Sequence, residues 1–130
     1  MSEKINPVRE TDEEALALTG TLLEEAQYAA LGVKEIDTDV PLVSRVAVAW
    51  SKPTGLFFCA SDLSMHSQCL AKNATCSLML GEPGKGDGLA YPRITLIGET
   101  KRMENTDENH ADFRDRFLAV HPIHLDCVGK

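Results

Sequence analysis

Residues 41–50, Pro-Leu-Val-Ser-Arg-Val-Ala-Val-Ala-Trp, constrain this chain more than any other segment. The run is rich in valine and has no helical period, so it reads as a strand. Side chains alternate between the faces of a strand. One face carries Ser44, Val46, Val48 and Trp50, and the other carries Val43, Arg45, Ala47 and Ala49. Both faces are largely apolar, which is the pattern of a central or barrel-forming strand covered on both sides. Ser51-Lys52-Pro53-Thr54-Gly55 follows as a hairpin loop, and residues 56–60 return as its partner strand.

The rest of the chain supplies elements to cover those faces. Thr11-Asp12-Glu13-Glu14 reads as a capping box with Thr11 as N-cap and Glu14 at N3. The helix behind it carries Ala15, Leu16, Leu18, Leu22, Leu23 and Ala26 as its apolar stripe and ends near residues 25–28. Residues 28–33 form a short strand. Residues 61–72 read as a short helix, capped by Ser61 or Ser64, with Leu63, Leu70 and Ala71 toward the core. Residues 74–80 and 93–102 are two further strands, and Gly98 marks a bulge or bend in the second. Between them residues 81–92 hold four glycines and two prolines and form a loop. Residues 105–120 form a second long helix with Ala111, Phe113, Phe117, Leu118 and Val120 as its apolar set, stopped by Pro122.

Hairpin-linked strands with few long crossovers give an α+β fold, an antiparallel sheet closing as a small barrel with flanking helices. At 130 residues the chain is one domain, 1–130. Five strands leave an open edge that a partner subunit, or a segment beyond Lys130, is expected to cover.

Composition narrows the function classes. With 13 basic and 20 acidic residues, the net charge of −7 repels phosphate backbones, which argues against nucleic acid and anionic membrane as partners. No apolar run is long enough to span a bilayer, and no secretory leader is visible, so the expected location is cytoplasmic. The four cysteines, Cys59, Cys69, Cys76 and Cys127, then stay reduced. Their spacing is not that of a metal site, and Cys59, Cys69 and Cys76 read as small core hydrophobes. The glycine-rich loop is no nucleotide-triphosphate loop, because Lys85 is followed by glycine and a strand follows the loop. His121-Pro122-Ile123-His124 reads as a solvated helix end, since Pro122 breaks the spacing two helical ligands need. His110 reads as solvent-facing.

Three segments together are specific. They are Pro41-Leu42-Val43-Ser44-Arg45-Val46, then Ser61-Asp62-Leu63-Ser64-Met65-His66-Ser67-Gln68-Cys69-Leu70, then Gly81-Glu82-Pro83-Gly84-Lys85-Gly86-Asp87 with Pro92-Arg93. They resemble the pyridoxamine 5′-phosphate oxidase-like FMN-binding split barrels, close to the haem-utilisation branch, from residue 29 to about residue 121. The resemblance implies a homodimer of antiparallel split β-barrels with FMN in a groove between subunits, and a flavin-dependent oxidoreductase whose small-molecule substrate is not specified. It implies that Arg45 holds the FMN phosphate and that His66 stands where the oxidases usually carry lysine. Ser61, Ser64 and Gln68 are expected to complete the phosphate and ribityl contacts, and Trp50 is the candidate aromatic to cover a flavin edge. The chemistry agrees, because a phosphate favours a guanidinium and the free N–H groups of a helix N-terminus.

The pattern departs from the family in two places. Gln68-Cys69 stands where the branch often has Arg-Asn. The sequence ends at Lys130, before a further strand and before the region that bears the haem-ligating histidine in haem-utilisation members. Pyridoxamine phosphate itself is not expected as substrate, since the C-terminal Arg-x-His-type segment is missing. Haem on the same fold is the alternative cofactor, and a cofactor-free interaction module is a third reading.

Overall fold

A computed structural model describes residues 12–104, 108 and 110–122. Helix α1 (Glu13–Glu25) is followed by strands β1 (Tyr28–Lys34), β2 (Pro41–Ser51) and β3 (Gly55–Phe58). Helix α2 (Met65–Lys72), strands β4 (Thr75–Leu80) and β5 (Ile94–Glu99), and helix α3 (His110–Val120) complete the described chain. The five strands form one antiparallel sheet in the order β3-β2-β1-β4-β5. The sheet curls into an α+β split barrel, as the hairpin pattern predicts.

The concave side holds the main core. Ala29, Leu31 and Val33 of β1 meet Val46 and Val48 of β2, Cys76 and Leu80 of β4, and Cys69 of α2. Leu31, Val48 and Leu80 are wholly buried. A smaller cluster lies on the outer face, where Ala49 of β2 packs on Phe117 of α3, with Phe57 and Leu118 beside them. These two clusters explain why β2 is apolar on both faces. At its start the outer face is bare: Val43 is 69% exposed, and Ile97 of β5 is 80% exposed.

The helices differ from the sequence reading in detail. Thr11 lies outside the described residues, and Asp12 caps α1, its Oδ1 accepting from the Ala15 N–H at 2.8 Å. Leu23 and the following Ala26 reach the core, whereas Leu16 and Leu18 of the expected stripe are exposed. Helix α2 starts at Met65 rather than residue 61, and Ser64 is its cap. Its buried residue is Cys69, with Leu70 half-buried, while Leu63 is 87% exposed and Ala71 is exposed too. Leu63 falls before the helix and so outside its inward face, which is carried by Cys69 and Leu70. Gly98 pairs with Cys76 in unbroken register, so it marks no bulge. The expected start of α3 at residue 105 falls where residues 105–107 and 109 lie outside the described chain.

Cys69 and Cys76 are buried and Cys59 is half-buried, while Cys127 lies outside the described residues. Burial pushes the Cys76 thiol above its ordinary value, which suppresses thiolate chemistry. Among the described residues no helix is long and apolar enough to cross a membrane.

Candidate functional site

Two adjacent residues of β2 divide the expected site between the two faces of the sheet. Ser44 lies on the face of Val46 and Val48, and Arg45 on the face of Val43 and Ala47.

On the Ser44 side stands the start of α2. The Ser44 Oγ is 3.2 Å from His66 Nδ1. Ser64 accepts from the Ser67 N–H at 3.3 Å and donates to the Ser61 carbonyl at 2.7 Å. Ser61 Oγ accepts from the Leu63 N–H, and Gln68 Nε2 donates to the Leu63 carbonyl at 3.4 Å. Ser61, Ser64, His66 and Gln68 are therefore brought together at one turn. The serine hydroxyls shape that turn, and the Ser67 and Gln68 N–H groups are both taken up by Ser64. The Arg102 guanidinium braces it from outside through Asp62 at 3.0 Å.

His66 is half-buried, and its Nε2 is sealed from solvent without a hydrogen-bond partner. Burial lowers its pKa below the ordinary 6.5, so at neutral pH the ring is a neutral hydrogen-bonding group rather than a cation. The folded pKa lies below the unfolded one, so the neutral ring's contribution to stability is complete above pH 6.5 and is lost as pH falls below it. Chemical denaturation of wild type and His66→Gln between pH 7.5 and about 5 checks this. The wild type is expected to lose more stability than the variant as pH falls, and parallel losses would show that His66 is not the group responsible.

On the Arg45 side lies a cleft of about 560 Å³, walled by Tyr28, Val43, Met79, Gly81 and Pro83. Arg45 pairs with Ala30 of β1, and Ala30 pairs in turn with Met79 of β4. The small Ala30 side chain keeps the floor open between the two longer ones. Arg45 makes no ion pair with any described carboxylate, unlike Arg102 and Arg114. The loop beyond β4 closes the far wall. Gly81 has a φ of +103°, and a Cβ there would stand 2.3 Å from the Pro92 carbonyl oxygen, so only glycine fits.

Trp50, expected over a flavin edge, does not line this cleft, and its carbonyl accepts from Arg116 Nε at 2.7 Å. His121 corrects the sequence reading outright. Far from solvated, it is 4% exposed. Its ring packs against Tyr28 and Phe117, and its Nε2 is 2.8 Å from the Val48 carbonyl. Pro122 does end α3, but the last turn lies on the sheet rather than in water. His124 lies outside the described residues. Tyr28 and Met79 were not foreseen either; a tyrosine opening a strand was the one available signal.

No protein-family model matches the sequence, and no curated protein matches it. Solved structures do. One superposes with a TM-score of 0.83 at 32% identity, covering 94% of this chain and 78% of its own. A heme binding protein from Mycobacterium smegmatis gives 0.69 at 24% identity over 80% of this chain, which spans 42% of that protein. The heme storage protein HutZ from Vibrio cholerae gives 0.74 at 17% identity, over 88% of this chain and 80% of its own. An FAD-binding protein from Mesorhizobium loti gives 0.68 at 18% identity, over 85% and 77%. The sheet order, the helix seated on its concave side and these likenesses define a split-barrel protein. The chain shares the split-barrel fold of these proteins, the fold that its resemblance to the pyridoxamine 5′-phosphate oxidase-like proteins implies.

Proposed function

We propose that the chain binds FMN in the Arg45 cleft, that a second copy completes the site, and that the bound flavin serves an oxidoreductase. The observation that carries this reading is Arg45 itself. Its guanidinium is in no ion pair with a described carboxylate and lines a cleft of about 560 Å³ with Tyr28, Val43 and Met79 as apolar walls and Glu82 at the far side. An arginine placed in this way fits a phosphate, and Tyr28, Val43 and Met79 fit a flat apolar ring system. The turn that gathers Ser61, Ser64, His66 and Gln68 at the start of α2 lies on the other face of the sheet and is the alternative seat for the phosphate. Flavin, when bound, supplies the electron transfer; the chain holds, orients and shields it. The bare outer face, with Val43, Met79 and Ile97 exposed, suits a second copy of the chain. The FAD-binding neighbour supports a flavin.

Haem in the same cleft is the second reading. It is favoured by Tyr28 and Met79, whose side chains can ligate iron, and by the heme binding and heme storage neighbours.

The absorbance spectrum of the purified protein, taken after adding FMN and gel filtration, tests both. One retained flavin per subunit is expected, in a species eluting at twice the 14.2 kDa chain mass. Absence of flavin with a Soret band on haem titration favours the second reading. Absence of both leaves the fold as a cofactor-free interaction module.

A further inference from the structure

We infer that His121 is a positioning residue that sets the ring of Tyr28 as a wall of the Arg45 cleft, an inference that rests on the reading above. His121 is the buried polar residue among those described. Its Nε2 stands 2.8 Å from the Val48 carbonyl, and a carbonyl only accepts, so Nε2 carries the proton. Its backbone N–H donates to the Phe117 carbonyl at 2.8 Å, closing the last turn of α3. Its ring lies 4.9 Å from that of Phe117 and 5.5 Å from that of Tyr28, centroid to centroid, tilted by 60° to the latter. Tyr28 opens β1 opposite Ala47, two positions along the same face from the Ala30–Arg45 pair. Tyr28 therefore both contacts the His121 ring and lines the cleft.

Packing alone would accept phenylalanine at position 121. Phenylalanine would leave the Val48 carbonyl without this donor, and a buried carbonyl without a partner is unfavourable. Histidine ties α3 to β2 by its hydrogen bond and to β1 by its ring. The Tyr28 wall is thus fixed to the strand that carries Arg45.

The test compares wild type, His121→Phe, His121→Gln and Tyr28→Leu. FMN affinity is read by flavin fluorescence, ring seating by the visible circular dichroism of bound flavin, and stability by thermal melting. His121→Phe and Tyr28→Leu are expected to weaken FMN binding about tenfold and to change the dichroism, with the double variant no weaker than Tyr28→Leu alone. His121→Gln, which keeps a donor, recovers part of the loss and serves as the probe where His121→Phe does not fold. A melting temperature lowered with affinity and dichroism unchanged overturns the inference, because His121 is then only structural. A wild type that retains no FMN overturns the functional reading first. In that case Tyr28 ring-proton shifts that move in His121→Phe show that the packing link survives without the flavin role.

Discussion

Arg45→Ala is expected to cost the protein its flavin while leaving it folded. The side chain is exposed, on a strand whose other face makes the core, and it holds no described ion pair. Stability should therefore stay within about 0.5 kcal/mol of wild type, as for surface substitutions away from special features. Binding is another matter. A charge-assisted hydrogen bond to phosphate contributes about 1.5–3 kcal/mol, so the dissociation constant for FMN should rise roughly 10- to 150-fold. Arg45→Lys should fall between the two, since an ammonium keeps the charge and loses the fork. Fluorescence titration alongside a thermal melt separates the two effects. Unchanged affinity in Arg45→Ala would move the phosphate away from the cleft, toward the start of α2.

The second large effect concerns the core. Leu31 is fully buried at the middle of β1, the central strand, with Ser44 and Leu78 as its partners on either side. Leu31→Ala removes its side chain from contact with the core of Val46, Val48 and Leu80. Such truncations cost about 2–5 kcal/mol, a large part of the stability of a domain this size. The melting temperature should drop by about 10–20 °C. Calorimetry is the check, and a drop below a few degrees would mean that neighbouring side chains close the cavity. Flavin bound at low temperature should be little altered, because Leu31 faces away from the cleft.

The strands were legible because two signals coincided. Valine-rich alternation located β2, and turn residues on both sides bounded it. The helix faces were less legible. In α2 the cap at Ser64 starts the helix at Met65, which leaves Leu63 outside it, and the face that meets the sheet carries Cys69 and Leu70 rather than Ala71. In α1 the apolar stripe is real in the sequence, yet the helix makes few contacts with the sheet, so Leu16 and Leu18 stay exposed. The residue types proposed for the site could be picked out in the sequence, and the structure gathers Ser61, Ser64, His66 and Gln68 at one turn but sets Arg45 on the other face. That division was implicit in Ser44 and Arg45 being neighbours, since consecutive strand residues face opposite ways. His121 was misread because Pro122 tells where a helix stops and says nothing of what its last turn rests on. Position on the sheet is a long-range property, fixed here by Val48 and Tyr28, which lie far back in the chain.

The strand order also has a kinetic consequence. β1 and β2 are joined by residues 35–40, β2 and β3 by the short turn at residues 52–54, and β4 and β5 by one longer loop. The one seam between these two blocks is the β1–β4 ladder, where Gly32 meets Ser77 and Ala30 meets Met79. Each block can zip locally, but the seam must bring together residues far apart in sequence. Such non-local closure is the slow part of folding. A substitution at the seam, as at Leu78, should slow refolding, whereas one confined to the β2–β3 turn should chiefly hasten unfolding. The same ladder forms the floor between Arg45 and Met79, so the cleft exists only once the β1–β4 seam has closed.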